Sequence, residues 1–214
     1  MHIVIAGNIG SGKTTLTQML ARHYGWSARM ESVAHNPYLE DYYKDMRRWA
    51  LNLEVFFLKE RFRDLLAINK SKRTIVQDRS IYEGVYIFTA NNHDMGNMSD
   101  RDFDTYMGLF QSMMLVAKMP DLMVYLKASV PHLIGNIHQR GRSYEQNMRL
   151  DYLKQLNDRY DTFISSQYEG RSITIDVDEL DFLHRRQDFE GIVACIDQQL
   201  REIEHKDFNL FNNI

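Results

Sequence analysis

An α/β fold built on a five-stranded parallel sheet flanked by helices is predicted by three features of this 214-residue chain. Five short runs are apolar enough to be buried on both faces, as strands of a parallel sheet are. The segments between them carry apolar residues at three- and four-residue spacing, the period of a helix. The first run passes directly into a cluster of three glycines, Gly7, Gly10 and Gly12, followed by a helical pattern. That is the strand, loop and helix order of a sheet that binds ligands at its carboxyl edge.

In chain order, the predicted strands are His2 to Ala6, Ser27 to Met30, Thr74 to Gln77, Leu122 to Leu126 and Ser172 to Val177. Leu16, Leu20 and Ala21 mark the first helix. Trp49, Leu53, Phe56, Phe57 and Phe62 mark a later one, and Leu150, Leu153, Leu156 and Tyr160 another. The three prolines fall at boundaries: Pro37 opens a segment, Pro120 precedes a strand and Pro131 follows it. The polar stretch from Asn91 to Asp100 is expected to be a long surface loop. Residues 209–214 are expected to be a loosely held tail behind a single domain spanning 1–208, a length that suits one core.

Hydrophobic residues at 44% and charged residues at 26% exclude extensive disorder, a collagen-like fibre and a membrane bundle. A net charge of −3 gives no electrostatic reason to bind long nucleic acid or an anionic membrane, so any phosphate contact is expected to be local. No apolar stretch approaches bilayer length, and the first apolar run leads into the glycine cluster and not into a cleavage site. The lone Cys195 cannot form an internal disulfide, which fits a reducing, cytoplasmic compartment; it reads as a small apolar residue on a helix face.

Gly7-Asn8-Ile9-Gly10-Ser11-Gly12-Lys13-Thr14 fits the phosphate-loop pattern G-x-x-x-x-G-K-[ST], with Thr15 continuing into the helix. A chance match in a chain of this composition is on the order of one in five hundred. Glycine lets backbone N–H groups turn inward around a polyphosphate, and the helix N-terminus adds partial positive charge. Lys13 would bridge the β- and γ-phosphates and Thr14 would ligate Mg²⁺. No N-K-x-D guanine-reading motif is present, which argues against a GTPase switch.

Three further segments carry chemistry. Asp78-Arg79-Ser80 ends the third strand, with Asp78 positioned for Mg²⁺ and Arg79 for a phosphoryl group. Glu31 follows the second strand, where a carboxylate could take the proton of an attacking hydroxyl late in the reaction, orient that hydroxyl, or simply cap a helix. Gln139-Arg140-Gly141-Arg142-Ser143-Tyr144-Glu145 suits a flap that closes over a transferring phosphate, excluding water and supplying cationic charge, although taken alone it also suits a solvated helix corner.

With these segments in order, the chain resembles the deoxyribonucleoside kinases, and within them the bacterial deoxyadenosine/deoxyguanosine kinase-like branch. The phosphate loop, Glu31-Ser32-Val33, Asp78-Arg79-Ser80 and Arg140-x-Arg142 ending in Glu145 carry the resemblance. It implies a P-loop kinase fold with an arginine-bearing lid at about 138–147, and ATP-dependent phosphorylation of a deoxynucleoside 5′-hydroxyl, purine preferred. By the same resemblance, Glu31 is the base, Arg79 lies beside it and Asp78 assists Mg²⁺. Arg140 and Arg142 reach the ATP phosphates, Tyr43 and Glu145 hold the 3′-hydroxyl, Phe88 stacks on the base, and the segment from Asp176 to Phe182 contacts the ATP adenine. A homodimer is implied too.

The chain departs from the family at Glu54, where relatives commonly place a glutamine that pairs with the base edge. An ionised carboxylate offers acceptors only, and a buried one requires a positive partner, for which Arg61 is the expected residue. Gly84 is expected to leave room beside the same pocket. Two other readings share the phosphate loop: a nucleoside monophosphate kinase of the thymidylate-kinase type, whose acceptor phosphate Glu31 and Glu145 would repel, and a catalytically silent nucleotide-binding protein.

Overall fold

The computed structural model describes residues 1–31, 36–142, 145 and 148–211, with side chains as far as 205. Ser32, Val33, Ser143 and Tyr144, which form part of the predicted motifs, lie outside the described residues. The strands are β1 (His2–Gly7), β2 (Ser27–Arg29), β3 (Ile75–Asp78), β4 (Leu122–Lys127) and β5 (Ser172–Asp176). They pair in parallel in the order β2-β3-β1-β4-β5. The helices are α1 (Lys13–Tyr24), α2 (Leu39–Lys44), α3 (Met46–Asn69), α4 (Ile81–Glu83), α5 (Ala90–Asp94), α6 (Asp100–Met114), α7 (Val130–Arg140), α8 (Leu150–Thr162) and α9 (Arg186–Phe211). Among the described residues no helix is long and apolar enough to cross a membrane.

Alternation along β1 decides the layers. Val4 and Ala6 face one side, where Leu58, Leu65, Tyr106, Leu156 and Tyr160 from α3, α6 and α8 cover them. Ile3 and Ile5 face the other, under Leu16 and Leu20 of α1, Leu133 of α7 and Ile192 of α9. A third cluster joins α2 to the start of α3 through Leu39, Tyr42, Ala50 and Leu53. It walls the far end of the cavity described below.

One expectation is corrected. The polar stretch Asn91–Asp100 is not one surface loop: α5 takes its first residues, and Asn91 and Asn92 are buried. Its polarity serves an interior need, because Asn92 Nδ2 donates to Glu54 at 3.0 Å. The last helix runs to Phe211, into the stretch 209–214 expected as a tail. Between α4 and α5 the backbone takes a π-helical form over Gly84–Thr89, which turns Phe88 and Thr89 toward the same interior.

Candidate active site

β1 ends in Gly7, and the loop from there to Lys13 closes on itself. Ser11 N–H donates to the Asn8 carbonyl at 3.2 Å, and Asn8 Nδ2 holds the loop to α8 through the Leu153 carbonyl (2.9 Å) and Asn157 (2.7 Å). The Asn8 side-chain oxygen accepts from Ile9 N–H. Gly10 and Gly12 have φ of +87° and +90°, and a Cβ on Gly10 would meet the Leu133 carbonyl at 2.6 Å. Only glycine fits there on both counts.

Lys13 Nζ donates to the loop's own Asn8 carbonyl at 2.8 Å. Burial, and then the charge of Arg79, lower its pKa to about 7, against the carboxylates of Asp78, Glu83 and Glu31. Thr14 Oγ1 donates to Asp78 Oδ2 at 2.6 Å, while Asp78 Oδ1 is buried without a hydrogen-bond partner among the described residues. Two adjacent oxygens, one of them unsatisfied, suit a hard cation held jointly with substrate phosphates, so these residues fit Mg²⁺.

Glu31 and Arg79 meet at the carboxyl edge of the sheet. Arg61 Nη2 donates to Glu31 at 2.5 Å, and Arg79 Nε lies 3.2 Å from the same carboxylate. Burial alone would raise the Glu31 pKa, but the guanidinium charges, the Arg61 hydrogen bond and Lys13 together hold it at about 2. Arg79 carries the one positive φ among the described non-glycine residues, +68°. That conformation costs roughly 1–2 kcal/mol and aims the side chain back across the cavity. Its guanidinium stacks on Phe88 at 4.5 Å.

Glu31, Tyr43, Glu54, Arg61, Asp78, Arg79, Phe88, Arg140, Arg142 and Glu145 all line one cavity. Among its other lining residues, Leu39, Tyr42, Leu53, Phe57 and Tyr152 carried no sequence signal beyond apolar patterning. A second cavity is bounded by Gly10 to Thr15, His132, Asn136, Gln139 and the segment from Leu180 to His184. Of the segment predicted to meet adenine, Leu180, Asp181 and Phe182 border this space, while Val177 is fully buried. Lys13, Thr14, Arg140 and Arg142 line both cavities. Arg140 and Arg142 turn to Glu145, with Arg140 Nη2 at 2.5 Å and Arg142 Nη1 at 3.4 Å.

Glu54 differs from its expected arrangement. Its partners are neutral: Thr89 Oγ1 donates at 3.2 Å and Asn92 Nδ2 at 3.0 Å. Arg61 makes its ion pair with Glu31, although its charge is still felt at Glu54. Burial dominates and raises the Glu54 pKa to about 7. The room expected beside Gly84 is taken by Arg61, since a Cβ there would collide with Arg61 Nη1. Glu83 and Tyr160 bond to Gly7 and to each other behind the site. The sequence signal for Glu83 is the capping-box spacing from Ser80, which the structure forms.

The deoxynucleoside kinase family model matches residues 3–201 of the chain. A deoxyadenosine/deoxycytidine kinase of Bacillus subtilis (strain 168) is 35% identical over 206 residues, covering 95% of each protein. A deoxyguanosine kinase of the same organism is 33% identical over 202 residues, covering 91% of this chain and 95% of the relative. The solved structure of deoxyadenosine kinase from M. mycoides with bound dATP superposes with a TM-score of 0.81 at 30% identity, covering 92% of this chain and 100% of that one.

Proposed function

The chain belongs to the deoxynucleoside kinase family, and from that premise we propose that it transfers the γ-phosphoryl group of ATP to the 5′-hydroxyl of a deoxynucleoside, a purine preferred. The observation that carries this reading is the junction of two cavities at Lys13, Thr14, Arg140 and Arg142. One cavity is bordered by the phosphate loop and takes the donor. The other holds an ionised carboxylate at its entrance and apolar and aromatic walls beyond it, and takes the acceptor.

Glu31 at a pKa of about 2 is a weak base. Its part is to accept a hydrogen bond from the 5′-hydroxyl, align it, and take the proton after the new P–O bond has begun to form and acidified that oxygen. Arg79 bridges Glu31 and the phosphoryl path, and Arg140 and Arg142 leave Glu145 for the phosphates as the lid closes and excludes water. Glu145, released, and Tyr43 hold the 3′-hydroxyl, and Phe88 stacks on the base. Lys13 gains its full charge when phosphates replace the Asn8 carbonyl as its partner. Thr14 and Asp78 would hold Mg²⁺, which supplies neutralisation of the polyphosphate charge.

A cytoplasmic homodimer completes the proposal. Leu109 within α6 and Leu115, Val116 and Met119 just beyond it stand exposed, which supports apolar contact with a second copy. The test is a panel of the four common deoxynucleosides and deoxyadenosine monophosphate with ATP and Mg²⁺. Turnover of deoxynucleosides is expected. Turnover of the monophosphate alone would favour a monophosphate kinase, and ATP binding without turnover a silent nucleotide-binding protein.

A further inference from the structure

The pairing of β1 with β3 ends at Ile5 opposite Asp78, closed by the Arg79 N–H to Ile5 carbonyl bond at 3.0 Å. Past that point the two chains diverge, one into the phosphate loop and the other into α4. The donor cradle and Arg79 therefore leave the sheet with no ladder between them. A side chain takes over where the ladder stops. Glu83 Oε1 accepts from Gly7 N–H at 3.2 Å, and Oε2 accepts from Ser80 N–H at 2.7 Å. The Tyr160 hydroxyl accepts from Arg79 Nη1 at 2.8 Å and lies 2.7 Å from the Gly7 carbonyl and 2.8 Å from Glu83 Oε1, so its one proton can serve either acceptor.

We propose that Glu83, with Tyr160, is a positioning device that fixes the phosphate loop and Arg79 at one separation, so that donor and acceptor halves of the site stay in register for transfer. Glu83 holds the N–H of Gly7 and Tyr160 reaches its C=O, so the peptide units on both sides of the Gly7 Cα have a partner where the loop departs. Glu83 has no exposed surface and lines neither cavity, so it does not touch substrate. A capping box alone requires only the Ser80 bonds. The reach to Gly7 and Tyr160 is additional. A carboxylate suits this place because its two oxygens meet two backbone donors and a hydroxyl, with the Arg79 guanidinium 3.7 Å away to balance its charge.

The inference rests on the kinase reading above, and wild-type turnover tests that reading separately. Glu83→Gln puts an amide NH₂ against a backbone N–H, so one end of the tie must open. Misregistration of this kind costs the transfer step and leaves binding largely intact. The measurement is steady-state kinetics with a deoxynucleoside and ATP, alongside calorimetric ATP stoichiometry and thermal melting. For Glu83→Gln, kcat is expected to fall about ten- to a hundredfold, with the deoxynucleoside KM within about threefold of wild type and one ATP bound per chain. Tyr160→Phe, which changes no charge and removes one oxygen, is expected to lower kcat by about three- to tenfold. A combined loss smaller than the product of the two would mark a shared path. Folded Glu83→Gln with kcat within twofold of wild type overturns the proposal. So does a loss matched by an equal drop in ATP stoichiometry, which marks a merely structural role. If Glu83→Gln does not fold, Tyr160→Phe decides, and an unchanged kcat there overturns the proposal.

Discussion

Glu31 and Glu54 line the same cavity, and their carboxyl groups are held in opposite ways. Glu31 keeps 16% of its side chain exposed, faces two guanidinium groups and is held down at about 2. Glu54 keeps 2% of its surface, faces Thr89 and Asn92, and is pushed up to about 7. Arg61 stands between them and commits its ion pair to Glu31. Enclosure alone therefore does not set the charge of a carboxylate here; the charge of its partners does. The phosphate end is a set of opposed charges ready to rearrange around a polyphosphate. The far end is a neutral hydrogen-bonded lining, continued by Tyr42, whose hydroxyl donates to Asn92 at 2.8 Å.

The contrast breaks most sharply at Glu31. Glu31→Gln keeps the shape and removes the charge that Arg61 and Arg79 share. We expect kcat to fall by about 10²–10⁴-fold, with a smaller change in ATP affinity, measured by steady-state kinetics and equilibrium binding of ATP. Undiminished phosphorylation would remove the proton-accepting role from Glu31 and leave Arg79 as the organising group of this end.

How legible each end was in the sequence follows from the same contrast. The phosphate end could be read because its chemistry is local. Gly7 to Thr14 is contiguous, Asp78-Arg79 is a short charged string at the carboxyl end of a strand, and Arg140-x-Arg142 gains its meaning from standing in order with them. The strands were read for a similar reason, since each needs only a few consecutive apolar residues. The far end is assembled from single positions on α3, the π-helical turn and α5. Asn92 looked like loop polarity because nothing local says that a polar residue faces inward. Arg61 was expected beside Glu54 because both lie on one helix face, yet the stronger partner, Glu31, comes from another strand end. Glu83 went unread: the Ser80-to-Glu83 spacing signals at most a helix cap, and its reach to Gly7 depends on tertiary placement.

Glu54→Gln sharpens the comparison at the far end. At a pH above about 7 the Glu54 carboxylate is ionised and only accepts, whereas an amide also donates, and adenine offers an acceptor beside its exocyclic amino group where guanine offers N–H donors. With the base against Glu54, the variant is expected to raise the deoxyadenosine-to-deoxyguanosine ratio of kcat/KM by about tenfold. Stability gives a second measure. The ordinary Glu54 value of 4.5 is raised to about 7 in the folded chain, so the folded state holds a proton that the unfolded chain releases in between. Its contribution is fully present below 4.5 and is lost as pH rises through 7. Glu54→Gln should therefore gain stability over wild type as pH goes from 5 to 8, on the order of 2 kcal/mol, read as diverging denaturation midpoints. Parallel midpoints across that range would mean that Glu54 is ionised throughout.

The smallest expected effect probes the residue that joins the two ends. Gly84 has ordinary helical dihedrals, so alanine should suit its backbone better, by up to about 1 kcal/mol. What opposes alanine is Arg61 Nη1, which occupies the space a Cβ would take. Arg61 Nη1 and Nε are buried without hydrogen-bond partners among the described residues, so little holds that side of the guanidinium, and it can tilt. Tilting lengthens the Arg61 bond to Glu31, but Arg79 remains beside the carboxylate and keeps it ionised. Gly84→Ala is therefore expected to keep its melting temperature, lose about two- to fivefold in kcat, and raise the deoxynucleoside KM by a similar factor while the ATP KM stays put. A loss as large as that of Glu31→Gln would show that the phosphate end depends on Arg61 alone. Wild-type kinetics would show that Arg61 has a second resting place and that the two ends are independent.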